Sequence, residues 1–380
     1  EVSERSLDLA VSLYSPGSMV IKDGWTYTVD GFADYRFRGF KKYSNDPVKD
    51  AVQVTVCPDC HSARVGPVDV LCPVCQHPCS QLTLYQPAGF RASHRDDQWI
   101  DDTPAPRAAQ PVLAWVTMGN PSQQAGALDL WRLEQAQIVT INDNGGRGFE
   151  LFREADGSIV TSNPGNLPLR GSGVIGEVRT TDAVVLLPKR VQLQHNVVSV
   201  DPKQCPAGMA AMASFAEALR TAAKAALDID PTELNAGTQV RHEKGVRTAS
   251  VYLADTLQNG AGYAVELAQG PKLQQALDSL RSQVAEQWEA GAHSECDASC
   301  ADCLRSWDNR FIHAMLDWRL ALDVADLSVG LPPNLERWFP LAHPAAERFV
   351  AAYRDPLEEL GHASVVSAGT LTAISVGSKA

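Results

Sequence analysis

The residues most suited to chemistry are the cysteines. Eight of the nine fall into two tight groups, Cys57, Cys60, Cys72, Cys75 and Cys79, then Cys296, Cys300 and Cys303, with only Cys205 standing apart. Such clustering is ligand spacing rather than the dispersed disulfide framework of a small secreted domain. Cys57-Pro-Asp-Cys60 and Cys72-Pro-Val-Cys75 form a C-x2-C…C-x2-C pattern with eleven residues between the pairs. Two knuckles of this kind bring four thiolates together tetrahedrally, each about 2.3 Å from a Zn2+ ion, and leave no position open for water. The expected role is structural. A redox reading is weaker, because a thioredoxin-type C-x-x-C occurs once and precedes a helix. His61, His77 and Cys79 are read as bystanders.

The second group lies in "HSECDASCADCLRSW", residues 293–307. Spacings of x3 and x2 supply three ligands from one loop, and a closed zinc site needs a fourth. His293 is the nearest candidate; Cys205 and Cys79 are distant ones. A third constellation is "YRFRGFKKY", residues 35–43, where Arg36, Arg38, Lys41 and Lys42 alternate with Tyr35, Phe37, Phe40 and Tyr43. That interleaving suits pairing with phosphates and stacking on bases, or else an amphipathic strand with its aromatics turned inward.

Other chemistry is poorly represented. No G-x-x-x-x-G-K-[ST] loop cradles a nucleotide, and "SVGSKA" near residue 380 lacks the required order, so ATP hydrolysis by this chain alone is not expected. His242-Glu243-Lys244 has the H-x-K form of phospholipase D-type nucleases, but the accompanying Asp would fall on Ala249. Nuclease activity is therefore not expected. A formal net charge of -12 argues against a broad phosphate-neutralising surface while leaving room for a local basic groove.

The elements that position these residues follow from periodicity. "SMVIKDGWTYTVDGF" predicts a hairpin turning at Asp23-Gly24. Residues 136–143, 148–154 and 182–188 read as short strands of a sheet or small barrel, bounded by Gly, Asn and Asp. Met209, Met212, Phe215, Leu219, Ala223 and Leu227 form one helical stripe; Leu273, Leu277, Leu280, Val284 and Trp288 form another, delivering the chain to the second cysteine group. Helical spacing resumes through Phe311, Met315, Trp318 and Leu322, which places those cysteines in a loop between helices.

"VYLADTLQNGAGYAVEL", the helix that follows and "CDASCADCLRSWDNRFIHAMLDWRLAL" together resemble the C-terminal zinc-binding domain of unknown function associated with DEAD/DEAH-box superfamily 2 helicases, of the MrfA/MrfB-like and DISARM helicase-partner-like kind. "NDNGGRGFELF", "TTDAVVLL" and "SFAEALRTAAKAALDIDPTEL" fit the same resemblance, which spans roughly residues 110–327. The family pattern C-x-C-x3-C-x2-C-L is matched by Cys296, Cys300, Cys303 and Leu304, but its first cysteine falls on Ser294. A serine hydroxyl is a poor zinc ligand. Either His293 or a more distant residue completes the site, or the loop has lost its metal. The family's D-x-x-x-G-G-A-G-Y runs here from Asp255 to Tyr263 with Asn259 at the first glycine. Its remaining glycines serve a positive-φ turn or the close approach of a nucleic-acid phosphate.

The expectation is an α/β (α+β) chain: a β-rich hairpin region over residues 1–110 with a zinc ribbon inserted at 56–79, a helicase-associated zinc-binding domain over 111–330, and a helical extension and tail over 331–380. The resemblance implies one or two Zn2+ ions and a DNA partner, single strands included. It also implies a helicase motor, in the same polypeptide or in a partner subunit, acting in DNA repair or anti-phage defence. Glu1 opens the chain and the first motif is already β-type, so a piece of a longer polypeptide is expected. No apolar run reaches the roughly 18 residues of a membrane span, and the thiols point to a reducing cytoplasm. The rival reading is a protein-interaction scaffold with structural zinc and no nucleic-acid contact, which the acidic balance suits.

Overall fold

The computed structural model describes residues 5–48, 51–66, 70–94, 111–115, 118–163, 165–188, 206–243, 246–269, 271–290, 293, 296–369 and 371–377. It is a mixed α/β structure, strand-rich in its first half, with the helices later. Its spine is an antiparallel pair, strand Leu128–Asn142 against strand Leu169–Pro188, in register from Leu128↔Pro188 to Asn142↔Ile175. The pairing slips between Leu133 and Ala136, where Gln135 takes φ 58, the signature of a bulge.

Of the runs read as short strands in the sequence, 148–154 is one, Phe149–Arg153, while 136–143 and 182–188 are parts of the much longer Leu128–Asn142 and Leu169–Pro188. In Leu169–Pro188 the reason is glycine. Gly173 and Gly176 interrupt the apolar pattern of the 20-residue strand, yet a Cβ at either would lie 2.2 Å from the Thr83 carbonyl oxygen or 2.0 Å from that of Thr140. Absence of side chains is what lets neighbouring backbones cross so close. Beyond this stretch the strand pairs at its two ends with different partners. Leu169–Gly173 meets strand Phe149–Arg153, Val174–Ile175 runs parallel to Leu84–Tyr85, and Ala183–Leu186 meets strand Val246–Asp255. One sheet of 14 strands results among the described residues.

Helix Pro206–Leu227 lies on this sheet. Met212, Phe215, Leu219 and Ala223 are fully buried against Leu130, Val184, Leu186, Val251 and Leu253, as the stripe predicts. The second stripe is an α-helix Lys272–Ser279, a π-helical turn Leu280–Val284 and an α-helix Ala285–Glu289 in succession, with Leu273, Leu277, Leu280 and Trp288 in the same core. The third differs from a single helix: Arg310–Met315 is 3-10, and the α-helix begins at Trp318. Asp317 forces the break, its carboxylate accepting the Arg319 backbone N–H at 2.8 Å as an N-cap. The N-terminal hairpin turns at Asp23 and Gly24 (φ 51 and 80), the paired positive angles of a type I′ turn. No described helix is long and apolar enough to cross a membrane.

Candidate functional site

Strands Ala51–Val56, Ala63–Val65 and Ser80–Tyr85 hold the first cysteine group at one end. Each knuckle is a tight turn: the His61 N–H donates to the Cys57 carbonyl at 3.0 Å, and the Gln76 N–H to that of Cys72 at 2.9 Å. His61 and Gln76, the residue after each C-x2-C, take φ 55 and 61, so both turns close through a left-handed residue. The result brings Cys57, Cys60, Cys72 and Cys75 together with all sulfurs within 4.8 Å. Sγ–Sγ separations are 3.3 Å for Cys57–Cys75 and 3.6 Å for Cys60–Cys72. Four sulfurs on a tetrahedral zinc sit about 3.8 Å apart, so the set fits this ion with little adjustment.

Burial pushes the Cys60 thiol well up, and pushes Cys75 up to about 11. Burial acts on Cys72 in the same sense, but the Ser62 hydroxyl, 3.2 Å away, and backbone N–H groups bring it down to about 7. Cys72 ionises more readily than Cys60 and Cys75, and metal entry must displace the remaining protons. Cys79 lies half-buried against the group without joining the four, and His77 faces Asp59 at 3.6 Å.

The second group gathers His293, Cys296, Cys300 and Cys303, again within 4.8 Å. The Cys300 N–H donates to the Cys303 sulfur at 3.1 Å, and the two sulfurs are 3.8 Å apart. Burial raises the Cys303 thiol to about 12 and raises Cys296 as well. Neighbouring helices fix the loop: Trp318 Nε1 donates to the Cys296 carbonyl at 3.2 Å, and Arg319 Nη1 to that of Asp297 at 2.8 Å.

His293 is set as a ligand should be. Its Nδ1 lies 2.9 Å from the Trp288 carbonyl, so the proton belongs there and Nε2 carries the lone pair. The ring stacks on Trp288 and meets Trp318 edge-on. Nε2 is buried and has no hydrogen-bond partner. An orphaned acceptor beside three thiols could complete a Cys3His set for zinc. Ser294, Cys205 and Lys244 lie outside the described residues.

The glycine motif finds its explanation in Asp255. That buried carboxylate accepts the backbone N–H groups of Ala261 and Gly262 (both 2.6 Å), Tyr263 (3.2 Å) and Ala264 (2.8 Å). Asn259, Gly260 and Gly262 take φ 67, 77 and 85 to bring them round. The amides that would face a phosphate are taken by the chain's own aspartate, so the motif is a turn.

Arg36, Arg38, Lys41 and Lys42 sit on a separate two-stranded ribbon, Asp34–Arg38 against Lys41–Asn45. Its register, Arg36↔Tyr43, Phe37↔Lys42 and Arg38↔Lys41, puts Arg36, Arg38 and Lys41 on one face with Tyr43, and Lys42 on the other with Tyr35 and Phe37. Lys42 Nζ lies 3.4 Å over the Tyr35 ring, and Arg36 pairs with Asp34 at 3.2 Å. The two phenylalanines are not turned inward, Phe37 being 72% exposed and Phe40 wholly so, while Tyr35 and Tyr43 are half-buried.

A buried charge cluster escaped the sequence reading. Glu217 and Arg220 face each other at 2.7 Å within helix Pro206–Leu227, and Arg220 also binds Asp308 and Ser306 just beyond the second cysteine group. Only their i,i+3 spacing on a largely apolar helix hinted at it.

Comparison with known proteins bears on these geometries. Residues 215–304 match the family model of the MrfA Zn-binding domain. The Druantia protein DruE of Escherichia coli (strain UMEA 4076-1) is 26% identical over 381 residues, covering 87% of this chain and 20% of its own length. A crystal structure of the DUF1998 helicase MrfA bound to DNA has 14% identity and a TM-score of 0.35, covering 84% of this chain and 31% of that one. The same helicase bound to DNA and AMPPNP gives 12% identity and a TM-score of 0.28, covering 82% and 28%. The chain spans about a fifth of the curated relative and less than a third of the solved chains. The family model takes in the glycine turn, His293, Cys296, Cys300, Cys303 and Leu304, so the resemblance drawn from those residues holds across that segment. Both cysteine groups are suited to the zinc that this family model names.

Proposed function

Proceeding from a MrfA-type zinc-binding segment at residues 215–304, we propose that the chain is a zinc-stabilised accessory region of an ATP-driven superfamily 2 DNA helicase, serving DNA repair or anti-phage defence. In this reading Cys57, Cys60, Cys72 and Cys75 hold one Zn2+, and His293, Cys296, Cys300 and Cys303 hold a second. Zinc supplies cross-links where the chain is least regular: the first ties a strand end into a ribbon, the second pins the loop between the helices ending at Glu289 and starting at Trp318. The observation that carries the reading is the second group itself, a family-matched loop whose missing cysteine is replaced by a histidine with an orphaned, buried Nε2.

DNA contact is assigned to the ribbon cations Arg36, Arg38, Lys41 and Lys42. Between positions 34 and 45 they face one carboxylate, Asp34, in a chain with 45 acidic and 33 basic residues overall. ATP turnover belongs to a motor outside these residues, in the same polypeptide or in a partner subunit. The test is binding of the full chain to single-stranded and duplex DNA across a salt series. Each phosphate contact on a single strand contributes about 0.7 to the log–log salt slope, so replacing all four cations with Ala lowers the slope by roughly 3. An unchanged slope refutes the ribbon assignment. Absence of DNA binding at low salt favours the scaffold reading, with zinc alone retained.

A further inference from the structure

The ribbon carries more than charge. Its two strands pair only with each other among the described residues, and its base is fixed: Ser44 is buried, its backbone N–H donating to the Asp156 carbonyl at 2.7 Å and its hydroxyl accepting the Asp34 N–H at 2.8 Å. Gly157 packs so tightly beneath that a Cβ there would lie 2.3 Å from the Ser44 carbonyl oxygen. From this anchored base the strands run out to a two-residue loop, Gly39-Phe40, beyond the last pair Arg38↔Lys41. Gly39, at φ 62, takes the first central position that a type II′ turn gives to glycine. Phe40 therefore stands at the apex with its whole side chain in solvent, and Phe37 follows one pair behind.

A phenylalanine exposes an area of about 150–250 Å² that folding normally removes from water. Here the chain leaves two of them out while flanking them with four cations. An acidic protein surface matches the cations but offers the rings little; a nucleic-acid strand presents phosphates and π-faces together. Apolar side chains inserted between base steps are an established means of unstacking a duplex.

We propose that Phe40 is a base-stacking wedge: the ribbon tip enters at a junction between paired and unpaired DNA, Phe40 stacks on the first exposed base, and Arg36, Arg38, Lys41 and Lys42 hold the flanking phosphates. Phe37 extends the stacking face on the Lys42 side. This rests on the assignment of the ribbon to DNA and adds where on the DNA it sits and which residue touches a base.

The experiment uses the full chain and a forked DNA carrying 2-aminopurine at the first paired position, whose fluorescence rises on unstacking. Wild type is expected to bind and raise the signal. Phe40→Ala is expected to lose about fivefold or more in affinity for the fork, the lower end of one base–aromatic stack, to abolish the rise, and to keep the salt slope; Phe40→Trp restores both. Because the side chain is wholly exposed, Phe40→Ala should melt with wild type, which separates loss of stacking from loss of fold. Wild-type binding without a fluorescence rise, or a Phe40→Ala variant equal to wild type in both readouts, overturns the wedge and leaves the cation assignment standing. A wild-type chain that binds no fork and no single strand overturns both.

Discussion

Replacing His293 with Ala tests the proposed second metal centre at the ligand that departs from the all-cysteine pattern. Structural zinc in small sites is bound with roughly 10–16 kcal/mol shared among four ligands, so one ligand accounts for about 3 kcal/mol. His293 should deliver that share in full. Its ring is already oriented by the Trp288 carbonyl and two tryptophans, and its Nε2 gives up no other partner on binding. A loss of about 3 kcal/mol weakens binding by roughly two orders of magnitude. Elemental mass spectrometry after dialysis against a chelator of intermediate strength should find two zincs per wild-type chain and one per His293→Ala chain. His293→Cys, which supplies a fourth thiolate, should return the count to two. A His293→Ala chain that keeps both zincs and releases them to a chromogenic chelator at the wild-type rate would refute the assignment, and a distant ligand would then have to be sought.

Three further outcomes follow from other parts of the structure. Cys72→Ser should remove the other zinc and spare the His293 site, since the two groups share no ligand; loss of both metals on that one change would contradict two independent centres. Burial holds the Glu217 carboxyl up at about 7 against the pull of Arg220. A carboxyl whose folded value exceeds its unfolded one binds more protons when folded, so stability falls as pH rises from about 4.5 to 7, by up to about 3 kcal/mol. Glu217→Gln should flatten that decline in urea melts between pH 5 and 8, and an unchanged slope would show the decline to come from elsewhere. Gly176→Ala drives a methyl into the Thr140 carbonyl and against Leu84, and should lower stability by about 1–3 kcal/mol in the same melts; a neutral result would mean the two strands separate more easily than their pairing implies.

How much of this was legible in the sequence depended on the range of the forces involved. The first cysteine group was readable because its four thiols lie within nineteen positions and its geometry is local, two knuckles each closed by a left-handed residue. The buried helical stripes were readable for the same reason, a period of 3.6 on an apolar face. The 20-residue strand was not. What lets it run unbroken past Gly171, Gly173 and Gly176 is the approach of Thr83, Tyr85 and Thr140 from other parts of the chain, and no local pattern records that approach. The break before Trp318 was hidden by an apolar spacing that continues through it, and the Asp317 cap shows itself only in the structure.

Asp255 and His293 show how the same kind of residue resolves in opposite ways. Both are polar side chains held beside a loop that family likeness marks as special. Four backbone N–H groups converge on Asp255, so its carboxylate is fully occupied and the glycine turn needs no external ligand. His293 has one nitrogen committed to Trp288 and the other, equally buried, committed to nothing. A buried acceptor without a partner costs about 1–3 kcal/mol, and the cost disappears only when something fills the space among His293, Cys296, Cys300 and Cys303. Satisfaction of hydrogen bonds, more than the identity of the motif, is what separates the turn from the proposed metal centre.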